Sequence, residues 1–347
     1  MISTQGSDAY KKIHNNPFYQ QKLQAWTPKF RTSLAFLFFG LASVVFFGLA
    51  ILTFFLSKEI VDARFDYTDC TDAQANPCKD SSKPCICKAK FELETDIKGP
   101  VYMYYNVIGM HLNYRSFLSN IEPKQFTGAD IAPGSLGQCE PFNQKDGKAI
   151  LPCGAYPRAL FNDTFKMFKS EKNEIVSLEK SGIAWDTDVK RKYGTLSEEV
   201  ARKTVKPDTW EKSVMERSKG PFKTDESLMV WLRPSVMPDF IKLYAVIELE
   251  KGETVLKKGN YTFEIDYKLL TLAEKYRMKL LSVSNNSHDT FSDFPVSIFQ
   301  GRKSIVLGNA GFIGGRNMVY PILLTAGGVI YAILSIVMFL IHIGKIK

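Results

Sequence analysis

Two hydrophobic runs, one near each end, constrain this chain more than any other feature. Residues 34–56 read LAFLFFGLASVVFFGLAILTFFL, and residues 322–343 read ILLTAGGVIYAILSIVMFLIHI. Neither run holds an Asp, Glu, Lys or Arg. Each exceeds the roughly 20 apolar residues that cross a hydrocarbon core about 30 Å thick. The first run is too long, and starts too far along the chain, for a signal-peptide core of about 7–15 residues. A helix apolar on every side belongs in a core or in lipid, and a pair at the two ends reads as two membrane spans. The chain then divides into a tail (1–33), a first span (34–56), a middle segment (57–318), a second span (319–343) and a short tail (344–347).

Charge orients the spans. Lys11, Lys12, Lys22, Lys29 and Arg31 precede the first, and Lys345 and Lys347 follow the second. On the inner flank, Lys58 and Arg64 are balanced by Glu59, Asp62 and Asp66. Cytoplasmic flanks carry the excess of Lys and Arg, so both termini are expected in the cytosol and the middle segment in the lumen or outside. The net charge of +9 is spread along the chain, with no basic patch that would argue for nucleic acid.

Cysteines and sequons point the same way. Cys70, Cys78, Cys85, Cys87, Cys139 and Cys153 all lie in the middle segment, as do the sequons that begin at Asn162, Asn260 and Asn285. Disulfides persist in oxidising compartments, and N-x-Ser/Thr is an acceptor for N-glycans in secreted segments. Six cysteines allow 15 connectivities. Local closure favours Cys139–Cys153, and the nested pairs Cys70–Cys87 and Cys78–Cys85 are preferred for the crowded group. A zinc site is disfavoured, because Cys85-Ile86-Cys87 lacks the C-x₂-C spacing and only His111 and His288 are at hand.

Period-two alternation recurs through the middle segment. Tyr261, Phe263, Ile265 and Tyr267 alternate with polar residues, as do Ile241, Leu243, Ala245, Ile247 and Leu249. Further strands are predicted at Phe91–Leu93, Val101–Tyr105, Leu228–Leu232, Val296–Phe299 and Ser304–Leu307, and a helix near Glu198–Lys203. This pattern predicts half-buried antiparallel strands. The polar stretches 120–150 and 200–226 read as long surface loops. The expected fold is two transmembrane helices flanking a large, mainly antiparallel, sandwich-like β domain with long loop insertions.

A search for chemistry yields little. Gly301-Arg302-Lys303-Ser304 echoes a phosphate loop, but Val296 stands where its first glycine is required. No G-x-S-x-G or H-E-x-x-H motif occurs. His111 reads as a structural residue. Trp185-Asp186-Thr187-Asp188 is the place to look for paired carboxylates, though a turn with solvated acids beside a packed Trp is the favoured reading. Two membrane features suggest a partner. Gly328, Ala332 and Ser335 recur at i, i+4, i+7, spacing that permits close helix approach in lipid. Trp26 and Tyr19, beside basic residues before the first span, suit the headgroup level.

Six blocks, in order, carry a resemblance: NPFYQQKLQAWTP (16–28), GPVYMYYNVIGMHLNYRSF (99–117), LPCGAYPRALFNDTF (151–165), GIAWDTD (182–188), DESLMVWLRPSVMPDFIKLY (225–244) and DFPVSIFQGRKSIVLGNAGFIGGRN (293–317). Over residues 15–343 the chain resembles the non-catalytic β subunit of type-IV P-type ATPase phospholipid flippases, the family named for cell division control protein fifty and the ligand-effect modulator. It departs from the family pattern at Gly109–Arg115 and at Ala155-Tyr156-Pro157. The resemblance implies no enzyme activity, no cofactor and no metal. It implies an accessory subunit that pairs one-to-one with the ATPase catalytic subunit, beside membrane lipids. Such a subunit helps the flippase fold, leave the endoplasmic reticulum and move phospholipid to the cytosolic leaflet. The host membrane would be endoplasmic reticulum, Golgi, endosome or plasma membrane, according to partner. Expected contact residues are Gly328, Ala332 and Ser335, with Asn16, Trp26 and Pro28 in the tail. The alternatives are a membrane-anchored lumenal carbohydrate hydrolase and a cell-surface receptor.

Overall fold

The computed structural model describes residues 16–23, 31–78, 85–170, 173–218, 222–249, 254–267, 301–311 and 314–346. It forms two compact units, one containing the terminal helices and the other residues 56–316. Helix α1 spans Thr32–Lys58. The C-terminal helix spans Val319–Ile346. Asn317 Oδ1 accepts from the Val319 amide at 2.9 Å where that helix starts, and Pro321 sits in its first turn, where a missing N–H costs nothing. Only 17% and 6% of their most apolar stretches are buried. That rules out core helices of a soluble fold and leaves apolar surface for lipid to cover.

The second unit is built on eight strands: β1 (Asp62–Asp66), β2 (Cys85–Leu93), β3 (Val101–Ile108), β4 (Thr164–Lys169), β5 (Glu174–Glu179), β6 (Phe240–Glu248), β7 (Gly259–Tyr267) and β8 (Arg302–Asn309). They form one antiparallel sheet in the order β1-β8-β3-β6-β5-β4-β7-β2. Strand β7 behaves as its alternation requires, burying Tyr261, Phe263, Ile265 and Tyr267. The predicted strands 91–93, 101–105 and 304–307 lie within β2, β3 and β8.

Strand β6 departs from its simple alternation. Its register shifts between Leu243 and Ala245. Such a bulge inserts a residue and reverses which side chains face inward. Before it Phe240, Lys242 and Tyr244 are buried, after it Ala245 and Ile247, and Ile241 is left exposed. The segment Leu228–Leu232 is also corrected: it lies in a helix, Glu226–Leu232, rather than a strand. Asp225 caps it, its Oδ1 accepting from the Leu228 amide at 3.1 Å. Leu228, Met229, Trp231 and Leu232 are buried at helical spacing. A five-residue apolar run fits either period, and the cap decides it. The expected helix at Glu198–Lys203 is present, capped by Ser197. The expected strand 296–299 lies outside the described residues.

The sheet folds over on itself, so strands remote in its order meet face to face. Phe65 of β1 lies 6.0 Å from Phe91 of β2 and 6.4 Å from Phe263 of β7, between ring centroids. Tyr67, just past β1, meets Phe165 of β4 at 5.5 Å. The two long polar stretches are more ordered than loops: Lys148–Ile150 pairs in parallel with Thr204–Val205, joining one insertion to the other.

An ion pair is buried between the two layers. Lys303 Nζ on β8 donates to Asp163 Oδ2 at 2.9 Å, with the two side chains 2% and 0% exposed. The Tyr67 hydroxyl donates to the same oxygen at 2.9 Å. Burial and the Asp163 charge raise the Tyr67 pKa well above its usual value, so it stays a donor. The ammonium also sits 4.2 Å from the Tyr267 ring centroid. Removing one partner of a buried pair strands the other. Asp163→Ala, which leaves the sequon Asn162-x-Thr164 intact, should therefore destabilise the domain by about 3–5 kcal/mol, read as a lowered denaturant midpoint of the near-ultraviolet signal.

Candidate functional site

Each place where chemistry was sought is occupied by a structural contact. Lys303 belongs to the buried pair, within a strand, so Gly301–Ser304 cradles no phosphate. Asp188 is held by Arg233 Nε at 2.8 Å, and Asp186 by Lys190 at 2.7 Å. Each carboxylate faces a base, not another carboxylate, so residues 185–188 make no acid–base couple. Arg233 also lies 3.4 Å from the exposed Trp185 ring centroid. His111 is exposed and stacks on Tyr114 at 5.1 Å.

The cysteines are bonded as Cys70–Cys87, Cys78–Cys85 and Cys139–Cys153. The sulfurs of Cys70, Cys78 and Cys87 lie within 4.8 Å of one another, a metal-like cluster whose members are all engaged in disulfides. Cys70–Cys87 ties the segment after β1 to β2, staple-like across the fold-over.

Two of the motif blocks, 151–165 and 225–244, meet at one turn, residues 154–158, together with Asn120, Asp208 and Trp210. Gly154 has φ +103°, and a Cβ there would stand 2.1 Å from the Asn120 carbonyl oxygen, so only glycine fits. Asn120 Oδ1 accepts from the Ala155 amide at 2.6 Å. The Tyr156 hydroxyl shares its single proton between the Trp231 and Arg233 carbonyls, both at 3.2 Å. In return Trp231 Nε1 donates to the Tyr156 carbonyl at 3.2 Å. Trp210 Nε1 donates to the Pro157 carbonyl at 2.9 Å. Buried Arg158 pairs with Asp208 at 2.9 Å. The Tyr156 side chain is thus tied to the end of helix 226–232.

Lys242 was not singled out from sequence. Its Nζ donates to the carbonyls of Val230 at 3.0 Å, Trp231 at 2.7 Å, and Arg233. These carbonyls lie at the end of helix 226–232, which has no further turn to satisfy them. Burial, then the charge of Arg233, lowers the Lys242 pKa to about 7. In the sequence Lys242 falls on the outward phase of the alternation Ile241, Leu243, Ala245, Ile247, and only the register shift between Leu243 and Ala245 turns it inward.

The small-residue stripe of the C-terminal helix faces the chain's own first helix. Ser43 Oγ donates to the Gly328 carbonyl at 3.0 Å, and Ser335 Oγ to the Phe36 carbonyl at 2.8 Å. A Cβ on Gly328 would meet the Phe47 ring at 3.2 Å. Tyr331 packs against Phe46 and Phe39 at 5.1 and 6.1 Å. Thr32 and His342 share a hydrogen bond at 3.0 Å. Gly328 and Ser335 therefore both bond to the chain's own first helix, and Ala332 is half-buried beside them. Asn16 caps a turn, accepting from the Phe18 amide at 2.9 Å. Trp26, Pro28 and Asn285 lie outside the described residues. Asn162 is half-buried, and Asn260 is exposed on β7.

Residues 53–347 match the model of the LEM3 (ligand-effect modulator 3) family / CDC50 family. The chain belongs to the CDC50 family. Among its relatives, cell cycle control protein 50A of Bos taurus is 29% identical over 357 residues, covering 97% of this chain and 91% of that protein. Cell cycle control protein 50B of Homo sapiens is 28% identical over 352 residues, covering 95% and 93%. ALA-interacting subunit 3 of Arabidopsis thaliana is 28% identical over 352 residues, covering 96% and 89%. The similarity to CDC50 family members thus runs through both helices as well as the β domain.

Gly328→Leu should force α1 and the C-terminal helix apart at Phe47. The expected result is loss of a disulfide crosslink engineered between positions 39 and 331, with the β-domain unfolding midpoint unchanged.

Proposed function

We propose that this CDC50 family member is the non-catalytic accessory subunit of a type-IV P-type ATPase phospholipid flippase. The observation that carries the reading is a disulfide-bonded β domain between two apolar helices, in which the cysteines, Lys303 and Asp188 are engaged in structural contacts. The similarity to a protein named as an interacting subunit supports it. Both termini lie in the cytosol, and residues 57–318 lie in the lumen or outside. The subunit assists folding and export of its ATPase and supports transport of phospholipid to the cytosolic leaflet.

The helix surface offered to the ATPase is the one the helix pair leaves open. On α1, Leu37, Leu41, Val44, Ile51 and Phe55 are all exposed at spacings that keep one face. Gly48 lies in that stripe with nothing within 4 Å of the Cβ it lacks, a notch for close helix approach in lipid. On the C-terminal helix, Val329, Ile333, Ile336 and Leu340 form a similar face. Asn16, Trp26 and Pro28 are proposed as cytosolic contacts.

Affinity purification of the full chain from detergent should recover a P-type ATPase. Gly48→Leu should reduce that recovery several-fold while the chain itself stays folded. Recovery of the chain alone, with normal flippase export in its absence, contradicts the assignment.

A further inference from the structure

The buried Asp163 is the middle residue of the sequon Asn162-Asp163-Thr164, so the acceptor Asn162 is anchored by the core. Asp163 is pinned by Lys303 and Tyr67, both at 2.9 Å. Two residues on, the Phe165 amide donates to the Tyr244 hydroxyl at 3.2 Å. Asn162 itself lines a cavity of about 250 Å³. Its apolar wall includes Phe161, Trp210 and Tyr244, and its polar side Lys180, Glu211 and Lys212. Lys180 Nζ stands 4.1 Å from the Tyr244 ring centroid.

Aromatic walls with a few charged groups on one side are the chemistry that holds a sugar: ring C–H faces pack on aromatic rings, and hydroxyls and an acetamide bond to charged groups. The ligand needs no diffusion to reach this cavity, because the residue that carries it, Asn162, lines the wall. We propose that the first N-acetylhexosamine of a glycan on Asn162 folds back into this cavity and becomes part of the domain's packing. The other described sequon differs, since Asn260 stands exposed on its strand, and its sugar points into solvent.

The inference rests on the lumenal placement proposed above. Its test is native-state deglycosylation of the full-length chain by a peptide-N-glycosidase, followed site by site by mass spectrometry. Release at Asn162 should be at least about tenfold slower than at Asn260, because it waits for local opening, and the rates should converge after denaturation. Replacing the rim by Glu211→Ala with Lys212→Ala should speed native release at Asn162 and leave Asn260 unchanged. Equal native rates, an unmodified Asn162 beside a modified Asn260, or protection indifferent to the rim variants would overturn the seat and leave the topology standing. All three sequons unmodified, Asn285 included, would overturn the topology itself, and a modified Asn285 beside an unmodified Asn162 would overturn the seat alone.

Discussion

The contact on which the β domain depends is the Lys303–Asp163 pair with Tyr67. It joins β8 to the start of β4, on the two faces of a sheet that must fold over to close its core. An ammonium and a carboxylate gain little from meeting there that two apolar side chains could not supply. What the pair adds is selectivity. A one-residue slip of β8 would bring opposite Asp163 either the uncharged Ser304 or Arg302, whose guanidinium would have to give up Asp66 at 2.7 Å, so the pairing discriminates against neighbouring registers. The aromatic contacts Phe65–Phe263 and Tyr67–Phe165 and the Cys70–Cys87 bond then hold the layers that this register defines.

The same logic explains why blocks far apart in sequence share one structure. Gly154 lets the chain approach Asn120, Tyr156 reaches the end of helix 226–232, and Lys242 caps that same end from a neighbouring strand. The motifs mark backbone polar groups that needed partners inside a domain, not an active centre. In the membrane the same economy applies: Ser43, Gly328 and Ser335 satisfy each other's helices, and what remains outward is plain apolar surface interrupted by Gly48.

Much of this was legible in the sequence. The helices follow from length and composition, and β7 follows from its alternation because it is regular throughout. The strand at 240–248 was only half legible, since a bulge carries no local signature and reverses the inward phase. Residues 228–232 misled because a short apolar run lacks a period, and the deciding Asp225 cap is a single residue. Nothing in the stripe of small residues itself signalled that Gly328 and Ser335 meet the chain's own first helix. Lys303 and Asp163 could not be paired from sequence, lying 140 positions apart; each looked like part of a different motif.

A double-mutant cycle tests the central claim most directly. Asp163→Ala, Lys303→Met and the double variant would be compared by denaturant unfolding of the full-length chain in detergent, with disulfides intact. The account predicts a coupling energy of about 2–3 kcal/mol, with the double variant more stable than Asp163→Ala alone. A coupling below about 0.5 kcal/mol, the level expected of independent sites, would contradict it.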